Sequence, residues 1–137
     1  MAKDYTPDEL LALYAVMLQA DSAPMRRVAV WELGRLGDPR GAAHLMDAVL
    51  GDRDWECRHY AIMALANTGG ATEARLLREL LTGEYLSQDG RCKAGPIPEA
   101  LASHLPEDLE YSARCCAGEQ PRPTAADDQH GKWWRGE

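Results

Sequence analysis

A shift of 32 residues lays the chain on itself, and this period constrains the fold more than any other feature. Residues 25–51 fall on 57–83, and seven of the 27 aligned positions are identical: Arg26/Arg58, Ala29/Ala61, Leu33/Leu65, Gly37/Gly69, Ala42/Ala74, Leu45/Leu77 and Gly51/Gly83. Chance would supply about two such matches, and self-similarity of this length marks units that stack because none can bury its apolar face alone. The offset also runs backwards, since Leu13 falls on Leu45 and Leu18 on Leu50, so the chain opens on a half-repeat.

Each unit reads as two helices. Over residues 25–36, Val28, Ala29, Leu33 and Leu36 recur at helical spacing, and Gly37 is a natural left-handed terminator. Asp38 then caps a second helix, with Pro39 in its first turn; that helix carries Ala42, Leu45, Val49 and Leu50 and stops at Gly51. Asp54 is the expected cap of a helix over 55–68, Gly69 and Gly70 break the chain, and residues 72–82 make the next helix. At the start, Thr6-Pro7-Asp8-Glu9 is a capping box for a helix over 8–19. Five consecutive antiparallel helices follow from this reading.

Composition agrees and excludes several classes. The 137 residues are 45% hydrophobic but contain no Phe, so the apolar mass is small and aliphatic, which suits close helix packing. The longest apolar run, Leu10 to Leu18, is nine residues and too short to span a bilayer. A formal charge of −7 disfavours nucleic acid and anionic membranes, whose binding needs a basic face. Met1-Ala2-Lys3-Asp4-Tyr5 lacks a signal-peptide layout, and the four cysteines then read as reduced thiols of a cytoplasmic protein.

The stretch from Met25 through Trp31-Glu32-Leu33-Gly34-Arg35-Leu36-Gly37-Asp38-Pro39 to Arg40 resembles the HEAT-like repeats first described in phycobilisome lyases. The Arg after the turn, the small residue three on, the Leu-Gly ending and the Gly-Asp-Pro-Arg turn carry the likeness. The second copy keeps Arg58, Ala61 and Leu65 but replaces Asp-Pro-Arg with Gly70-Ala71-Thr72. The resemblance covers about residues 8–83 and implies an all-α fold: a short right-handed α-solenoid of helical hairpins with an irregular C-terminal cap and tail. It says little of activity, because such repeats serve scaffolds, lyase subunits, hydroxylases and glycosylases alike.

Three segments follow: the repeats over 1–83, a loop and capping helix over 84–118, and an extended tail over 119–137. Gly90, Gly95, Pro96 and Pro98 mark the loop, residues 98–104 suggest a short helix, and 106–117 a better one. Tyr111-Ser112-Ala113-Arg114 faintly echoes the first-helix pattern, as expected of a cap on the stack's open end. The tail carries Trp133 and Trp134, each able to bury roughly 150–250 Å², which predicts docking on the stack or into a partner.

Catalytic constellations are scarce. Cys92, Cys115, Cys116 and His130 have poor spacing for zinc, and neither a metal nor a redox role outranks plain thiols. Hydroxylases built on similar repeats use His-Glu pairs, and no His-Glu dipeptide occurs. Repeat-built glycosylases need a basic groove, whereas residues 1–83 hold 9 Lys+Arg and 12 Asp+Glu. No cofactor is implied.

Arg26 and Arg58 each follow an acidic turn and are expected to bind carboxylates between units, while Asp38 caps a helix. The resemblance implies that second helices line a concave side whose outward residues meet partners. The 32-residue ladder aligns Tyr14 with Met46 and Arg78, Leu11 with Ala43 and Arg75, and Ala15 with Asp47 and Glu79. Together with His44, Trp133 and Trp134, these residues predict a non-enzymatic adaptor, assembly factor or inhibitor that binds another protein. The alternatives are a subunit resembling the bilin lyases, which attach chromophores to protein cysteines, and a cysteine-based metal or redox module.

Overall fold

Helix ends are set by side chains within a few residues of them. The structure, a computed structural model, describes residues 4–82 and 103–121. Helix α1 (Pro7–Met17) opens on the expected capping box: the Thr6 hydroxyl accepts the Glu9 N–H at 3.2 Å, and Glu9 Oε1 accepts the Thr6 N–H at 3.4 Å. Helix α2 (Ala23–Leu36) begins earlier than residue 25, because the Ser22 hydroxyl accepts the Met25 N–H at 3.4 Å and Pro24 fits the first turn. It ends at Gly37 with φ 68°, the left-handed turn that favours glycine.

Asp38 caps a single 3₁₀ turn (Pro39–Gly41), accepting the Arg40 N–H at 2.9 Å, before α3 (Ala42–Gly51) continues the unit. Helix α4 (Trp55–Thr68) is capped by Asp54, which accepts the Cys57 N–H at 3.0 Å. Helix α5 (Ala71–Leu81) is anchored by Glu73, whose carboxylate accepts the Gly70 N–H at 2.8 Å. Helix α6 (Leu105–Cys116) follows residues outside the described set. The described residues thus hold six α-helices and no strand. The expected loop, most of the helix over 98–104, Cys92, His130 and the Trp133-Trp134 tail lie outside them.

The helices form an all-α solenoid. First helix α4 packs against α2 on one side and α6 on the other, while α1 packs on α2, α3 on α4 and α5 on α6. The core runs along this stack as Val30, Leu33, Leu45, Val49, Ile62, Leu65, Leu77 and Leu109, with no single centre. Each such burial contributes about 1.5–3 kcal/mol before entropy is counted. Three expectations are corrected here. Val28 and Leu50 are exposed, not core, and Met46 is buried in the core, so it is no surface anchor. A helical period identifies apolar stripes, but the neighbours decide which stripe is covered.

Helix α6 is fastened to α4 by hydrogen bonds as well as packing. The buried Ser112 hydroxyl donates to the Ile62 carbonyl at 2.6 Å, and the Cys116 thiol donates to the Leu65 carbonyl at 3.0 Å. Gly69 is required for this approach, since a Cβ there would lie 2.5 Å from Cys116 Sγ.

Candidate protein-binding surface

Arg26 organises the first candidate site. Its guanidinium donates to the Ala20 and Asp21 carbonyls at 2.8 and 2.9 Å and to both Asp52 oxygens at 3.1 and 3.2 Å. The turn before α2 is thereby tied to the turn before α4, one period away. The bond to Asp52 raises the guanidinium's pKa against the opposing effect of burial. Arg58 repeats the motif at the offset of 32: it is buried and donates to the Asp52 carbonyl at 2.8 Å, as Arg26 does to Ala20. Arg26 makes the carboxylate bond between units predicted for it. For Arg58 the acceptor at that turn is a backbone carbonyl.

Above Arg26 lies a polar cleft of about 350 Å³ between the end of α1 and the outer edge of α3. Gln19, Asp21, His44, Asp47, Asp52 and Arg53 line it, with His44 and Asp47 exposed on the α3 wall. Of these, the sequence reading named His44 and Asp47 as partner-facing candidates and Asp21 as the acidic residue before Arg26, and it did not name Gln19 or Arg53. The period makes Ala20 and Asp52 equivalent positions, and the structure brings both to Arg26.

A second hollow, about 410 Å³, opens on α5 beside the end of α6 and is lined by Ala71, Ala74, Arg75, Arg78, Glu79, Thr82 and Ala117. Arg78 pairs with Glu119 across its rim. Arg75, Arg78 and Glu79, neighbours on one helix, line this hollow, while His44 and Asp47, which the ladder grouped with them, line the other. Tyr14 joins neither group: it is half-buried against the core, and burial together with nearby Glu32 raises its phenol pKa. The ladder residues thus divide between two hollows and packing positions such as Met46 and Tyr14.

The remaining sequence candidates have structural partners. Asp38 accepts from the Arg40 guanidinium at 2.8 and 3.1 Å as well as from its N–H, which lowers the carboxyl pKa, and Arg40 also pairs with Asp8. Cys57, Cys115 and Cys116 are buried. Burial, with Asp52 and Asp54 nearby, pushes the Cys57 thiol up to about 12, so it stays protonated near neutrality. Among the described residues, no three His, Cys, Asp or Glu side chains are grouped to hold a metal ion. Among them, too, no helix is long and apolar enough to cross a membrane.

The family model for HEAT repeats matches residues 10–87, more than half of the chain. The chain belongs to the HEAT-repeat family. No match was found among curated proteins or among solved structures. HEAT repeats generally mediate protein–protein interaction and are typically non-catalytic. In this HEAT-repeat protein, Arg26 and the caps hold the units in register, and the second helices α3 and α5 present charged side chains to solvent.

Proposed function

We propose that the protein is a non-enzymatic adaptor, assembly factor or inhibitor that docks another protein on its second helices. One observation supports this reading: exposed polar residues of α3 and α5 (His44, Asp47 and Arg75) border the two hollows, whereas Arg58, Thr68 and Ser112 point inward and hydrogen-bond to the protein itself. The contacts are His44 and Asp47 at one hollow and Arg75, Arg78 and Glu79 at the other, with Trp133 and Trp134 as tail anchors. Charged rims around a hollow favour orientation and specificity of a protein partner. The acidic balance and the four cysteines support a cytoplasmic setting without nucleic-acid or membrane binding.

Affinity capture with the full chain, followed by mass spectrometry, tests the proposal. The expected result is a partner recovered by the wild type and lost from His44→Ala/Asp47→Ala, Arg75→Ala/Glu79→Ala or Trp133→Ala/Trp134→Ala. Identical recoveries from all four proteins would count against it. The lyase-like alternative rests on the repeat pattern of residues 25–40 at family level, and in its Gly-Asp-Pro-Arg turn Asp38 and Arg40 serve as a cap and its partner. Co-expression with a bilin and a phycobiliprotein subunit discriminates, since a lyase subunit yields a coloured adduct.

A further inference from the structure

The chain turns back at the end of α6. Gly118 takes φ 78°, as Gly37 takes 68° at the end of α2, and the Glu119 N–H donates to the Arg114 carbonyl at 2.9 Å. The turn brings Glu119 to the rim of the α5 hollow, where it pairs with Arg78. After α2 and α4 the chain goes on into a second helix, α3 or α5. Residues 119–137 carry no apolar stripe at helical spacing, and Trp133 and Trp134 are their only large apolar side chains.

The hollow suits such a pair. Its floor includes Ala71, Ala74 and Ala117, small side chains that leave about 410 Å³ open between α5 and the end of α6. One period earlier the place of Arg78 belongs to Met46, which is buried, so this row of the stack is one that a neighbour covers. On the rim, the Arg75 guanidinium and the Glu79 carboxylate form no ion pair with any described residue. A guanidinium stacks favourably on an indole face. Lys132 and Arg135, which flank the two Trp, supply a cation for Glu79.

We propose that the C-terminal tail folds back into this hollow, so that one of its two indoles lies on the alanine floor against Arg75 while the other faces outward. Reach is ample. The stretch from Pro121 to Trp133 extends up to roughly 40 Å, and α5, with 11 residues, is about 17 Å long. Gly131 and Gly136 bracket the pair and disfavour a helix there. Neighbours in an extended chain point to opposite sides, so only one indole enters. The docked indole joins the α5 hollow and the tail into one surface. The outward indole is its partner anchor, and that step alone rests on the partner-binding reading above.

Nuclear magnetic resonance of the full chain tests the fold-back without any partner, with the tail indole N–H signals assigned from Trp133→Phe and Trp134→Phe. One of the two should be shifted from the position of a free indole and shielded from a soluble relaxation agent, and the other should be neither. Arg75→Glu and Ala71→Glu, at exposed positions, should return the shifted signal to the free position and keep the wild-type helical signal. Trp133→Ala/Trp134→Ala should shift the backbone amides of residues 71–82 and of Ala117 equally at every protein concentration. Two free tail indoles, or amide shifts on the outer face of α6 or beside Val28 instead of along α5, overturn the proposal. Shifts that depend on concentration assign the docking to a second copy and overturn it too. Two equally shielded indoles overturn the outward anchor. One shielded indole with partner capture indifferent to both Trp supports the fold-back and overturns the anchor alone.

Discussion

The first and last described helices are attached to the same stack in opposite ways. Helix α6 buries Leu105, Leu109, Ser112, Ala113, Cys115 and Cys116, whereas none of the 11 residues of α1 is buried. Yet α1 has the better local signal, a complete capping box, while the residue that opens α6, His104, makes no side-chain cap. Caps decide where a helix begins, and packing decides how firmly it is held. The difference also explains why α1 needs Arg26. The guanidinium grips the carbonyls that follow α1 and ties them to Asp52, which adds a charged clamp to the partly buried Leu11, Tyr14 and Leu18, whereas α6 is held by fully buried side chains and by the Ser112 and Cys116 hydrogen bonds.

Removing that clamp should produce the largest effect. Arg26→Ala leaves the Asp52 carboxylate, whose side chain is 6% exposed, without its cation and with the Asp54 N–H at 2.8 Å as its remaining hydrogen bond, and should cost about 4 kcal/mol. Urea unfolding measures the loss, and hydrogen exchange should show α1 amides opening first. A cost near zero would mean that apolar contacts alone hold α1. Next comes a paired truncation: Leu109→Ala in α6 should cost about 3 kcal/mol, and Val16→Ala in α1 less than about 0.5 kcal/mol. Equal costs would erase the contrast between the two helices.

Thr6→Ala should cost about 1 kcal/mol, confined to α1 and read as faster exchange at its first turn. If exchange in α6 quickens as well, the two ends are coupled more tightly than their packing implies. The smallest effect is with pH. Burial holds the His59 imidazole below its ordinary pKa of 6.5, while Asp108 on α6, 3.8 Å away, pulls the other way. The folded state favours the neutral ring, so this stability is complete above about pH 6.5 and is lost as the pH falls through the lowered folded value. The urea midpoint should therefore fall modestly between about pH 7.5 and about pH 5, and His59→Gln should flatten that slope.

Much of the fold was legible because its signals are local. Thr6, Gly37, Asp38 and Asp54 act on backbone groups within about four residues, and α4 runs over the residues predicted from Asp54 and Gly69. The start of α2 was misplaced because Ser22 was not recognised as its cap. The binding surface was less legible. Position 14 of the ladder is half-buried, position 46 is core and position 78 is on a rim, though all three share one place in the repeat. Periodicity equates such residues, but the number of units before and after each one differs.

By itself the sequence determined the period, the helices and most of their caps, and it singled out Arg26 as a link between units. All of these depend on short-range chemistry or on self-similarity. Tertiary structure alone decided that Met46 is covered while Val28 is bare, that His44 and Asp47 line one hollow and Arg75, Arg78 and Glu79 another, and that α6 docks through Ser112 and Cys116. The reason is physical: burial belongs to an apolar residue together with its neighbours, and in a short stack the two ends lack neighbours that the middle has.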